Sequence, residues 1–499
     1  MGGFGWYFAK IEVNPNDSND IFLLGVDLWR TKNNGVNWEM GTPFWSSYEV
    51  HADKHDLVFT PSGKLLLATD GGAYKNDNIS PDWIDIENIA ATQFYRVAYN
   101  PHEPNMYYGG AQDNGTTSGN AQSTAWDRIF GGDGFQTRFE KENPLAIFCE
   151  SQNGAIYYSS ENNNFNEVLE QEQYNDRRHW DGQYVISEHS KYTIFYGTQR
   201  VWKGIYIPSN DSFKVNWTAI SPDLTDDDGK PGATNTITTI EESTLEKDLL
   251  FVGTADANVW RLSPNTSNWV NISNGLPNRY ITKVLPSSTN KNSVFVSVSG
   301  YREFEDTPHI WKSENQGSTW KNISGDMPQL AVNDLLVLAN NKDSVIFAAT
   351  DGGVYFTKNA GKNWLRLGGN MPIIPIFDID YNPVKNQLIA GTFARSIMTF
   401  DLKNIGVDIK SIVKTIDNNS LAQNVNLFPT VFDNSFTIKS LESKIIMVKI
   451  YNSAGGLILA KPENSNEIIV EMPNFAKGVC IVEVTLEGNR KVIKRGVKL

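Results

Sequence analysis

Apolar and polar positions alternate along this chain in short runs, and the runs return in one order. Each unit opens with a β-branched and aromatic run. A loop follows, then a second run such as "DLLFVGT" (248–254) or "DSVIFAAT" (343–350), a Gly/Asp turn, a third run such as "VYF" or "VWR", and a tryptophan. The opening runs fall at 8–14, 55–60, 94–100, 135–139, 183–188, 236–241, 280–286, 332–338 and 376–382. The closing tryptophans stand at 38, 83, 126, 217, 269, 320 and 364, a period of 43 to 52 residues once the gap of 91 is divided at the degenerate stretch near 160–167. Four short strands per unit at this period predict an all-β fold, a β-propeller of about 8–10 blade units. The ninth unit stops after "SIMTFDL" (396–402) without an outer strand, while the first is complete from "YFAKIEVNP" to Trp38. Propellers usually close by borrowing a strand from the other terminus, so the expectation is an N-terminally incomplete propeller that lacks a closing strand.

Three units end in the same turn, Ser/Thr-x-Asn-x-Gly-x-x-Trp: Thr31, Asn33, Gly35, Trp38; Ser313, Asn315, Gly317, Trp320; Thr357, Asn359, Gly361, Trp364. The residue types suit a tight hairpin. Asn folds back on its own turn, Gly takes positive φ, and Trp packs between neighbouring blades. These turns resemble the Asp-box (BNR repeat), with Asn where Asp is usual. The resemblance implies a superfamily that includes sortilin-like domains, the two-propeller xyloglucan hydrolases and many secreted bacterial proteins of unassigned role. "HADKH…TDGG…TQFY…QDNG…GGDG…SPDLT" is most similar to that last group. In such families the boxes staple hairpins and lie away from the active site.

Residues 1–402 are thus read as the propeller and the polar, aperiodic 403–423 as a linker. Residues 424–499, with short alternating runs and Gly turns, are read as a small β-sandwich. The last segment carries "NLFPTVF", "VKIYNSAG", "FAKGVCIVEV" and a basic "KRGVKL" end. As a set these resemble the type A C-terminal sorting domain of type IX secretion cargo, with Cys480 where an aromatic is usual. The resemblance implies a Bacteroidetes-type secreted or surface-attached protein that engages the type IX machinery through 424–499. It also implies a signal peptide, which "MGGFGWYFAK" does not supply, so an upstream signal is expected.

Composition narrows the partners. The 14 Trp, 19 Tyr and 25 Phe argue for a folded chain. The net charge of −13 is concentrated in 1–423, because 424–499 carries ten Lys/Arg against seven Asp/Glu. An acidic body argues against nucleic acid. No apolar run reaches the ~18 residues of a membrane span. Cys149 and Cys480 form no zinc-binding spacing, and no phosphate-cradling GxGxxG or P-loop appears, so no cofactor is expected.

In a propeller, the residues before each innermost strand and the loops between second and third strands share one face, around the channel mouth. That rule gathers "HADKH" (51–55), "TDGG" (69–72), "TQFY" (92–95), "GGAQDNGT" (109–116), "GGDG" (131–134), "RRHWDG" (177–182), "PNRY" (277–280), "SGYREFEDTPH" (299–309) and "GTFARS" (391–396). Convergent polar groups at a channel mouth form the default site. The candidate catalytic carboxylates are Asp70, Asp53, Asp113 and Asp133. The candidate ligand contacts are His51, His55, Gln93, Tyr95, Gln112, Asn114, His179, Asp181, Arg279, Arg302, His309 and Arg395. An extended backbone separates His51 from His55 by about 13 Å at ~3.3 Å per residue, so a metal there needs a tight bend. Capping a blade and contacting ligand are the other readings of "HADKH". Asp70 is either a catalytic carboxylate or a turn aspartate, since "TDGG" recurs at 350–353. Asp113 and Asp133 could take a sugar hydroxyl or a structural Ca²⁺. Arg279, Arg302 and Arg395 could clamp an anion. The expected function is recognition of a glycan or extracellular protein on this face; the alternative is a glycoside hydrolase with Asp70 and one of the other three as acid and base.

Overall fold

The computed structural model describes residues 6–8, 10–78, 82–87, 89–141, 143–160, 164–208, 213–226, 235–339, 343–408, 425–441, 443–452, 457–472, 477–487 and 490–498. Its architecture is all-β, a succession of antiparallel sheets of the kind that builds a β-propeller. Among the described residues, sheets one to eight have four strands each and the ninth has three. First strands run Ile11–Asn14, Lys54–Phe59, Phe94–Tyr99, Thr137–Phe139, Gln183–Ile186, Ile237–Glu242, Tyr280–Pro286, Val332–Val337 and Ile376–Asn382. Each starts within about three residues of its opening run, because an apolar alternation places one face of the strand in the core.

The sheets do not form one run of nine. From the third to the ninth, each packs on the next, and the ninth packs on the third. Across that closing joint Val97 N–H and Arg96 donate to Asp378, at 2.8 and 3.2 Å, and Asn382 donates to the carbonyl of Pro104 at 2.8 Å. Phe94, Val97, Tyr107, Ala111 and Ile389 share one core beneath those bonds. Sheets one and two pack on each other through Phe22, Leu24, Leu57, Leu65 and Leu67 and stand beside this ring.

The tryptophans record the same division. The indoles of Trp217, Trp269, Trp320 and Trp364 donate to the carbonyls of Val168, Ile220, Ile272 and Ile323, each the residue after the preceding sheet's last strand. Trp83 does the same to Gly41 in the first sheet. Trp126 of the third sheet turns instead to Ser123 in its own loop, so no such stitch joins the second sheet to the third. Within the Asn turns, Gly35, Gly317 and Gly361 have φ of 86°, 87° and 85°. The Asn33, Asn315 and Asn359 carbonyls accept from the N–H four residues on.

Residues 403–407, the start of the expected linker, pack on the ninth sheet: Val407 is buried with Leu402 in its core. Residues 409–424 lie outside the described residues, as do 227–234 and 161–163 of the degenerate stretch. Beyond them, a three-stranded sheet (425–428, 435–440, 467–471) and a five-stranded one (431–432, 490–498, 478–486, 445–452, 457–465) share one core of Val, Ile, Leu and Phe side chains. Among the described residues no helix is long and apolar enough to cross a membrane.

Candidate functional site

The loops between second and third strands lie against the segments that precede first strands, which places both on one face. Asp70 N–H donates to Asp53, Ala255 to Thr236, Asp351 to Ala331 and Phe393 to Pro375. Asn153 donates to Trp180 and Ser396 to Thr92, from one sheet to the next around the ring.

"HADKH" sits where the two-sheet pair meets the ring, and its residues go separate ways. Asp53 takes φ of 61° and supplies a bend. Lys54 turns inward, fully buried, and donates to the Val26 carbonyl at 3.0 Å; burial brings its pKa down to about 8. His51 reaches out of its sheet, with Nε2 3.1 Å from the Asp113 carbonyl. It lies flat on Gly71, where an added Cβ would fall 2.3 Å from the ring, so only glycine fits the "TDGG" corner beneath it. His55 pairs with Asp70, Nε2 to Oδ1 2.5 Å. The sequence could not show that the two imidazoles serve different aspartate loops. Among the described residues no three His, Cys, Asp or Glu side chains are placed to hold a metal ion.

The ring side is built as tightly. Asn114 donates to the Asp70 carbonyl at 3.0 Å, Asp113 N–H to Asp133 Oδ1 at 2.6 Å, and Asp133 N–H to Gln152 at 3.1 Å. All four candidate carboxylates are therefore drawn to one junction. Their mutual repulsion is felt most at Asp113, whose pKa is pushed up to about 6 by burial and then by Asp70, Asp133 and Asp53. Burial and Asp70 also raise Asp53. A carboxyl that titrates near 6 can hold or deliver a proton near neutral pH.

An aromatic wall runs on from these acids. Tyr95 donates to Gln112 at 2.7 Å and stacks on Phe135 at 4.9 Å; burial and then Asp133 push its phenol up to about 12. Trp180 meets Phe135 edge-on and is 46% exposed. Next to it, His179 is half-buried, its pKa lowered by desolvation, with Nε2 3.0 Å from the Tyr280 hydroxyl. Asp181 points into the channel and is bound by Arg96. Farther on, Arg302 lies over the Tyr280 ring, and Glu305 accepts from Arg279 at 2.6 Å and faces His309 at 3.0 Å. Gln93 and Arg395 are exposed on the same face. No contact joins Arg395 to Arg279 or Arg302 among the described residues, and Arg279 is already neutralised by Glu305.

Sequence reasoning did not single out Trp180, Tyr280, Tyr301 or Phe304. The signal for the last two was a loop longer than its counterparts in the other units.

No family model matches the chain, and no curated protein does. Among solved structures it is similar to the extracellular domain of a putative one-component system from B. thetaiotaomicron, at 10% identity and a TM-score of 0.46, over 98% of this chain and 74% of that one. It is also similar to the GH74 enzyme of Niastella koreensis, at 12% identity and a TM-score of 0.35, over 79% of this chain and 74% of that one. A third is PorZ of Porphyromonas gingivalis, described as a surface component of the type IX secretion system, at 15% identity and a TM-score of 0.33, over 96% and 74%.

Proposed function

We propose that the chain is a secreted or cell-surface recognition module that binds a glycan on its channel-mouth face. In this reading sheets three to nine are a seven-bladed propeller, and 424–499 is a β-sandwich that serves export by type IX secretion. The observation that carries the binding role is the meeting of loops 51–55, 69–72, 112–115 and 131–134 beside the half-exposed Trp180. Carboxylates and amides set around an exposed aromatic face suit a ligand with both hydroxyls and C–H faces. The sorting role rests on the motif set of the last segment.

The second reading, a glycoside hydrolase, is favoured by one feature: the Asp113 carboxyl at about 6 among three others. A raised acid beside an ionised carboxylate is what glycosidic cleavage needs. Both readings are separated by one experiment on the full chain. A panel of plant, algal and host polysaccharides is run in affinity electrophoresis and assayed for new reducing ends, with Asp70→Asn and Asp113→Asn beside the wild type. Retardation without reducing ends supports the binding module. Reducing ends that vanish in both variants establish the hydrolase, and neither signal on any glycan removes both.

A further inference from the structure

The connection between second and third strands is short in every sheet of the ring but one. It spans 112–114, 152–154, 198–200, 255–258, 351–352 and 393–396, yet in the seventh sheet it spans 300–308. The extra residues carry Tyr301, 71% exposed, and Phe304, 99% exposed. Phe304 also holds φ of 57°. A bulky aromatic gains nothing in the left-handed region, where glycine is at ease, and an unburied one gains nothing from packing either.

This conformation is nevertheless fixed from several sides. Phe304 N–H donates to the Tyr301 carbonyl and Glu305 N–H to that of Gly300. Glu305 is gripped by Arg279 and faces His309, and these bonds hold its carboxyl below the usual range. Arg302 is laid over Tyr280, the residue that meets His179 next to Trp180. The fold thus maintains, at some strain, an aromatic ring held out in solvent on the same face as the carboxylate junction. Rigid aromatics lose little entropy when they are covered.

We infer that the 300–308 loop is a glycan-gripping arm, with Phe304 and Tyr301 as stacking platforms for sugar rings that extend beyond the carboxylate junction. The inference rests on the glycan reading above and adds the residues that would determine its affinity. Charge decides between a glycan and a protein partner. Glu303 and Asp306 flank Phe304, whereas the core of a protein interface is depleted of Glu and Asp. Charged groups around an aromatic face match a sugar, which offers hydroxyls at its edge and C–H bonds on its face.

The test uses the full chain and the glycan that gives the strongest retardation in the panel above. Phe304→Ala and Tyr301→Ala are each expected to weaken binding at least tenfold, while Phe304→Trp retains it. Phe304→Gly is the decisive variant: it relieves the left-handed strain, so thermal stability rises while binding falls. Wild-type binding that persists unchanged in Phe304→Gly and Tyr301→Ala overturns the arm but leaves the recognition role standing. A wild type that binds no glycan overturns both. A protein ligand whose affinity drops in Phe304→Ala, with every glycan silent, replaces the sugar by a protein partner and also refutes the inference.

Discussion

Two corners of this molecule are spelled alike and live differently. "LLLATDGG" (65–72) and "IFAATDGG" (346–353) each form a second strand and the turn that follows it. In the eighth sheet all of Ile346–Thr350 is buried, together with Gly352 and Gly353. In the second sheet burial alternates along Leu65–Thr69, and Gly71 and Gly72 are exposed. The reason is company. The eighth sheet has the seventh and ninth on its two faces, whereas the second has the first on one face and meets the ring through loops. The partners of the turn follow suit. Asp351 is held by the amide of Asn333 at 2.9 Å and Gly352 lies under Leu330; Asp70 is held by His55 and Gly71 lies under His51. One scaffold is inert in one place and is lined with titratable groups in the other.

The largest expected difference concerns packing. Phe347 and Leu66 occupy equivalent positions, with exposures of 0% and 38%. Phe347→Ala should cost about 3–5 kcal/mol in denaturant unfolding, as a large buried side chain does. Leu66→Ala should cost roughly 0.5 kcal/mol, in the range of surface changes. Equal costs would mean that the open face of the second sheet is covered in solution.

Next comes binding. Asp70→Asn should lower glycan affinity more than tenfold, since it removes the carboxylate that His55 holds at the junction. Asp351→Asn keeps an amide facing Asn333 and should leave affinity unchanged. If both variants bind as wild type does, the junction is not the site.

A smaller effect is expected with pH. Asp113 is raised from 3.8 to about 6 in the fold, so the folded state holds its proton more tightly than the unfolded one. That contribution is present at low pH and is lost as pH rises through about 6. Two units correspond to about 3 kcal/mol at full burial, and the partial exposure here reduces this to roughly 1 kcal/mol. Asp113→Asn should therefore be more stable than wild type above pH 6 and should flatten the stability profile between pH 4 and 6. In a hydrolase the wild-type rate profile would carry a limb near pH 6, and this variant would have no rate to titrate.

Much of this was readable from residues alone, and the remainder has a common cause. Periodicity located the nine first strands because alternation is a local property of a strand. It also brought "HADKH", "TDGG", "QDNG" and "GGDG" to one face, because propeller geometry assigns loops to faces by their order. It could not show that the ninth sheet meets the third, since a repeat counts units without saying which ends touch. Lys54, charged in the sequence, is buried because Val26 offers it a carbonyl from another sheet. The three arginines did not assemble because Glu305 claims one of them and the Tyr280 ring another.

The smallest expected difference is the most informative about that boundary. The Asn turns are bonded within themselves: Asn33 accepts from Thr31 Oγ1 at 2.9 Å and from Asn37 N–H at 2.9 Å, Asn359 from Thr357 at 2.8 Å and from Asn363 N–H at 3.0 Å. Yet their tryptophans differ in burial, with Trp38 40% exposed and Trp364 5%. If the turn is a local device, Asn33→Ala and Asn359→Ala should each cost about 1 kcal/mol, read as increased amide exchange at the turn, and differ by less than about 0.5 kcal/mol. A much larger cost at Asn359 would show that the turn draws its stability from the packed tryptophan, and that even this motif is a property of the ring.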